Sequence, residues 1–182
     1  KSYDNEKDPR NREKIRLALG SYLREIEQNT DKDSELYFMR GMCRSILAPG
    51  KDACAMSSKA ITLYPSSGYY IFEVARCYAG LGDFDEALGV ISRIEPYLRG
   101  FKVAGNPQGL FVYKIRDLEA DIEYRKGNPK KALAIERENL LDGMSGKYAI
   151  YHTKARELLP KEALIGYLTQ KVSFYEEAVK SQ

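Results

Sequence analysis

The chain has 182 residues, with 29 Lys and Arg against 26 Asp and Glu, one His, three Cys and no Trp. Apolar residues at 43% and charged residues at 30% are proportions of a globular chain with a core to bury, and they exclude intrinsic disorder. A formal charge of +3 is too small to point to nucleic acid or an anionic membrane as the main partner, and no apolar run reaches the ~20 residues of a membrane-spanning helix.

In chain order, Ile15, Leu19, Leu23 and Ile26 recur at helical spacing, so residues 11–28 predict an amphipathic helix and 29–33 a turn after it. Three later segments read alike: Asp85-Glu86-Ala87-Leu88, Lys130-Lys131-Ala132-Leu133 and Lys161-Glu162-Ala163-Leu164. Gly82-Asp83 and Gly127-Asn128 stand before the first two, and Gly50-Lys51-Asp52-Ala53-Cys54 is a weaker, earlier copy. Ala53, Ala87, Ala132 and Ala163 are spaced 34, 45 and 31 residues apart, which is an internal repeat with one insertion. The 11 extra residues of the long interval fall in 97–109, where Gly100, Gly105, Pro107 and Gly109 predict a loop, read as a surface loop in preference to a lid. Toward the end of the chain, Ile165, Leu168, Val172 and Val179 carry an apolar stripe, and Pro160 is placed to open a helix. No segment sustains the apolar–polar alternation of a strand. The expectation is an all-α fold of about nine helices.

A 34-residue interval is the length of one helix–turn–helix unit in tetratricopeptide arrays. Framed from Ser34, the small residue at position 8 is Gly41, the Ala at 20 is Ala53, the Ala at 27 is Ala60 and the Pro at 32 is Pro65. Framed from Gly68, the next unit supplies Ala75 at 8, Tyr78 at 11, Gly82 at 15 and Ala87 at 20. Positions 8 and 20 need small side chains where two helices approach closely, and a glycine near 15 lets the chain reverse. The chain resembles the tetratricopeptide repeat family, most clearly over 34–99. A third unit over 110–143 keeps Ala120, Gly127 and Ala132 but carries Glu119 and Glu123 where the family prefers apolar residues. A fourth, over 144–182, keeps Ala163 and ends in a capping helix; 11–33 reads as half a unit.

The resemblance implies a right-handed α-solenoid whose concave face is lined by the first helix of each unit and holds a peptide or partner protein. Carried onto this chain, the groove residues include Phe38, Met42, Tyr69, Phe72, Arg76, Asp117, Asp121, Tyr148 and His152. Phe38, Met42, Tyr69 and Phe72 would form an apolar patch, and Asp117 and Asp121 would make the groove acidic, so the expected ligand has apolar anchors followed by a basic residue. The alternative is that the helix at 11–28 buries Phe38 and Met42. Some family members grip a C-terminal carboxylate with Lys and Asn at positions 5 and 9, as chaperone adaptors do. Phe38, Met42, Phe72 and Arg76 stand there instead, so that clamp is not implied.

Cys43, Cys54 and Cys77 are an odd number without a CxxC pair, and with a single His they match no structural zinc pattern. They read as buried thiols, with a Cys43–Cys54 disulfide as the oxidised alternative. The compartment stays open, leaning to the cytoplasm, with a bacterial periplasm as the other setting. One His, and no nucleophile placed beside a base, argue against catalysis, a metal, a cofactor or a small-molecule substrate. Arg125, Lys126, Lys130 and Lys131 crowd one turn, the only support for RNA binding. The expected function is a non-catalytic scaffold or adaptor; service as an assembly domain of a larger enzyme or complex is the second reading and RNA binding the third.

Overall fold

The computed structural model describes residues 8–28, 33–101, 109–148 and 161–181, and among these the chain is helical without a strand. The elements are α1 (Pro9–Gln28), α2 (Ser34–Leu47), α3 (Lys51–Leu63), α4 (Gly68–Gly80), α5 (Phe84–Ile91), a 3-10 helix (Ser92–Tyr97), α6 (Leu98–Phe101), α7 (Gly109–Arg125), α8 (Pro129–Met144) and α9 (Lys161–Lys180). No described helix is long and apolar enough to cross a membrane. The chain forms two compact units that divide between Pro65 and Ser66.

In the first unit, Asp33 caps α2 by accepting a hydrogen bond from the Glu35 amide at 2.6 Å, satisfying one of the orphan donors of the first turn. α2 packs on α3 along a seam of small residues. A Cβ on Gly41 would lie 1.9 Å from Ser57 Oγ, 2.5 Å from the Ser57 amide nitrogen and 2.7 Å from the Ala53 carbonyl, so only hydrogen fits there. Ala53, Cys54 and Ala60 complete the buried seam. α1 lies against the other side of α2: Tyr22 donates to the Met39 sulfur at 3.1 Å, Arg44 pairs with Glu27, and Arg40 donates to the Ile26 carbonyl near the end of α1. Ile26 is the buried member of the α1 stripe. Phe38 is buried at 6% exposure and Met42 is half-buried.

The second unit holds α4 to α9. Ser67 caps α4 by accepting from the Tyr70 amide. Three of its helices end alike: Gly82, Gly127 and Gly146 take φ of +76°, +85° and +74°, a region that costs a residue with a Cβ. The following amides close each end by donating five residues back, Asp83 to Tyr78, Asn128 to Glu123 and Lys147 to Asp142. Sequence reading identified the first two of these glycines as turns and passed over Gly146. Ala75 and Ala87, on the packed pair α4 and α5, are fully buried. Ala120 of α7 and Ala132 of α8 share a core with Leu133, Val172 and Tyr175.

Several expectations are corrected here. The buried stripe of α9 is Leu164, Leu168, Val172 and Tyr175, whereas Ile165 and Val179 are only partly buried. The stretch 97–101 is not a loop: the 3-10 helix and α6 run through it, anchored by the buried Ile94, and Gly109 already opens α7. The centre of the predicted insertion, 102–108, lies outside the described residues, as do Pro160 and residues 149–160 of the last unit; its frame from Met144 does not hold at the start, because Met144 ends α8 and Ser145 and Gly146 form the turn after it. Cys43 is a free buried thiol, so the Cys43–Cys54 link is not made, while Cys54 and Cys77 are not free. Burial raises the Cys43 pKa and keeps the thiol protonated and unreactive.

The seam at Gly41 sets a measurable limit. Gly41→Ala must move Ser57 or part α2 from α3, and is expected to destabilise by about 1–3 kcal/mol. Gly89→Ala, at an exposed helical site where an added Cβ meets nothing within 4 Å, is expected to stabilise by about 0.5–1 kcal/mol. Urea unfolding midpoints of the two variants check both signs.

Candidate functional site: an aromatic cavity on α4, α7 and α9

The second unit contains an open cavity of about 620 Å³. α4 contributes Phe72 and Arg76, α7 contributes Tyr113, Lys114, Asp117, Leu118 and Asp121, and α9 contributes Ala163, Tyr167 and Lys171. The helical period explains the membership. Residues 114, 117, 118 and 121 recur every three or four places and share a face of α7, as 163, 167 and 171 do on α9. A smaller cavity shares Asp121, Tyr167 and Lys171 with the first and adds Tyr124, Gln170, Phe174 and Tyr175. The two form a continuous depression along α7 and α9.

Its walls are aromatic. Tyr124 and Phe174 meet edge to face with centroids 5.2 Å apart, and Phe174 and Tyr175 do the same at 5.2 Å. Tyr124, Tyr167 and Phe174 are 37%, 41% and 48% exposed, a concentration of large apolar side chains left in contact with water.

Most of the charges in the cavity wall are already neutralised. Asp117 accepts a hydrogen bond from Tyr167 Oη at 2.5 Å and lies 2.9 Å from Lys171 Nζ, which ties α7 to α9. Burial, then this bond to Asp117, raises the Tyr167 pKa and keeps its hydroxyl a donor. Arg76 pairs with Glu73 at 2.6 Å, and Asp121 lies 3.9 Å from Arg125. Lys114 sits over the Phe72 ring, 5.8 Å from its centroid. The acidic groove expected from Asp117 and Asp121 is therefore not the field a ligand meets.

Behind Asp117, Glu136 of α8 is completely buried. One of its oxygens accepts from Asn139 Nδ2 at 3.4 Å and the other has no hydrogen-bond partner. Asn139 also donates to the Tyr113 carbonyl and accepts from Tyr148 Oη at 3.0 Å, so a polar chain runs from Tyr148 through Asn139 to Glu136 beneath the cavity floor. Burial, and then the charge of Asp117, push the Glu136 carboxyl up to about 7 against the partial opposition of Lys171.

Among the residues singled out from sequence, Phe72, Arg76, Asp117 and Asp121 line this cavity together. Tyr69 stands beside it, its ring 5.5 Å from that of Phe111. Tyr148 does not face a groove: it is buried against Tyr113 and bound to Asn139. Phe38 offers no groove surface either, because it is buried within the first unit, where α1 and α3 pack against α2. Met42 belongs to that unit too, and His152 lies outside the described residues. Reading only first helices missed Tyr167, Lys171 and Phe174. Their signal was a second stripe on α9 at 167, 171 and 174, one position from the core stripe.

Three of the four basic residues at the turn between α7 and α8 have partners within the fold. Lys126 pairs with Asp85 at 2.5 Å, Lys131 with Glu123 at 2.7 Å, and Arg125 lies over the Phe84 ring. The hydrogen bond from Lys126 holds the Asp85 carboxyl below its ordinary range. Burial pushes Glu123 up, but hydrogen bonds from Lys131 and Asn128 outweigh it and leave its pKa lowered. This bonding explains a Glu at a place where an apolar residue was expected: it braces the turn.

The elevated Glu136 predicts an unusual pH dependence. Unfolded, the carboxyl titrates near 4.5 and folded near 7, so the folded state holds its proton longer. Its contribution is complete below 4.5, falls as the pH rises towards 7, and levels off above that, for a loss of about 3 kcal/mol. Glu136→Gln should be more stable than the parent at pH 8 and flat across this range. Thermal unfolding from pH 5 to 8 checks it, and an unchanged slope would sink the assignment.

No family model matches this chain, nor does any curated protein or solved structure.

Proposed function

We propose that the protein is a tetratricopeptide-like interaction module without catalysis of its own, and that the cavity on α4, α7 and α9 is where it takes a peptide segment of a partner. The observation that carries this reading is the set of exposed aromatic side chains, Tyr124, Tyr167 and Phe174, gathered along one depression. Exposed large apolar residues cost solvation, and a gathering of them favours a partner that buries them. The repeat spacing, the small residues at Gly41, Ala53, Ala75, Ala87, Ala120 and Ala132, and the left-handed glycines at Gly82 and Gly127 support the family resemblance. Asp117 is held by Tyr167 and Lys171 and serves to fix the floor, so a basic anchor on the ligand is no longer favoured.

Selection of phage-displayed peptides on the whole protein tests the reading. Selected peptides are expected to carry apolar or aromatic anchors. Phe174→Ala or Leu118→Ala should weaken them by about tenfold, as for loss of a central interface contact. Leu141→Ala, at a 66%-exposed site on α8 away from the cavity, should leave them unchanged. Binding that survives both cavity substitutions and responds to Leu141→Ala would overturn the proposal.

A further inference from the structure

Resting on the peptide-binding reading, we infer that the depression selects a segment carrying an acidic side chain four or five residues from an apolar anchor, with the carboxylate at Lys114 and the anchor at Tyr124 and Phe174.

The inference comes from the charges that remain once internal pairs are removed. In the cavity wall, Asp117 is matched by Lys171, Arg76 by Glu73 and Asp121 by Arg125. Lys114 has no carboxylate partner among the described residues; its ammonium group meets only the face of Phe72. The neighbouring Tyr113 lines the same cavity, and its hydroxyl makes no hydrogen bond among the described residues. Burial, and then Asp117, raise its pKa, so the hydroxyl stays a donor. Two adjacent residues thus present an ammonium and a phenolic hydroxyl without an acceptor, and both are half-buried. A carboxylate matches the Lys114 charge, and the restricted solvent strengthens the attraction.

The same charge balance argues against a polyanion. One unmatched ammonium suits one carboxylate, whereas a nucleic acid strand or lipid surface presents many charges and needs many cations. The other end of the depression fixes the spacing. Lys114 and Tyr124 lie ten residues apart on α7, a rise of about 15 Å. An extended ligand advances about 3.3 Å per residue, so four or five residues join the two anchors.

The test uses decapeptides amidated at the C-terminus and labelled at the N-terminus with an uncharged BODIPY dye, so that the Glu side chain is the only carboxylate. One pair places Glu and Phe five positions apart in a Ser/Gly/Ala background, in either order; the controls replace Glu by Gln or bring Glu and Phe next to each other. By fluorescence polarisation on the full chain, one spaced Glu peptide is expected to bind about fivefold tighter than its Gln control, in keeping with a single solvent-accessible ion pair. Lys114→Gln should remove that difference and leave the Gln peptide unaffected, and added salt should narrow it.

Equal affinity for the Glu and Gln peptides would overturn the acidic selection while leaving the phage-selected peptides bound. A Glu preference that persists in Lys114→Gln would overturn the assignment to Lys114. Equal binding of the adjacent and spaced peptides would overturn the spacing. An oligouridine of twelve nucleotides that displaces phage-selected peptides better than the Glu peptide does would overturn the single-carboxylate ligand in favour of a polyanion.

Discussion

The second unit depends on Asp117. This single carboxylate of α7 accepts a hydrogen bond from the Tyr167 hydroxyl and pairs with the Lys171 ammonium, both of α9. α7 and α9 each pack on α8, so the contact ties together two helices that share a neighbour. The cavity opens beside this link, with Asp117, Tyr167 and Lys171 in its lining. A charge placed there is tolerated because it is matched, and the aromatic side chains left exposed alongside carry a cost in solvation.

Glu136 shows the other side of that arrangement. Its burial near Asp117 brings two carboxyls into one low-dielectric region, and Lys171, paired with Asp117, offsets only part of the repulsion. Such a pair cannot hold two negative charges cheaply, and the inner carboxyl keeps its proton up to a pH of about 7. The polar chain from Tyr148 through Asn139 then does for α8 what the Tyr167 and Lys171 contacts do for α7. Both helices carry acidic residues on inward faces, which lowers the hydrophobic contrast that a sequence reading relies upon.

Helix pairing itself rests on small residues and reversals. At Gly41 the backbone of α3 occupies the space of a methyl group, and a glycine in the left-handed region ends each of three helices in the second unit. These features are local in the chain. Glu123 is an instructive exception: it occupies a core place, yet its bonds to Asn128 and Lys131 make it part of the α7–α8 turn. The departure from the repeat pattern marks a polar brace.

The amino-acid sequence alone determined the helical class, the small positions of the seams and the turns at Gly82 and Gly127, because these follow from periodicity, side-chain volume and backbone freedom within a few residues. The family resemblance named Phe72, Arg76, Asp117 and Asp121 together, and these four line one cavity. Only the tertiary structure decided that Phe38 and Tyr148 are interior, that Tyr167, Lys171 and Phe174 complete the wall, and that Asp117 is already matched. Phe38 is interior because α1 and α3 cover α2, and Tyr148 because it meets Tyr113 and Asn139, whereas the cavity wall depends on which face α9 turns towards α7, as in the 50-residue separation of Tyr167 and Asp117. A charge has no counter-ion until folding brings one within reach, and so its availability to a ligand is a property of the assembled helices.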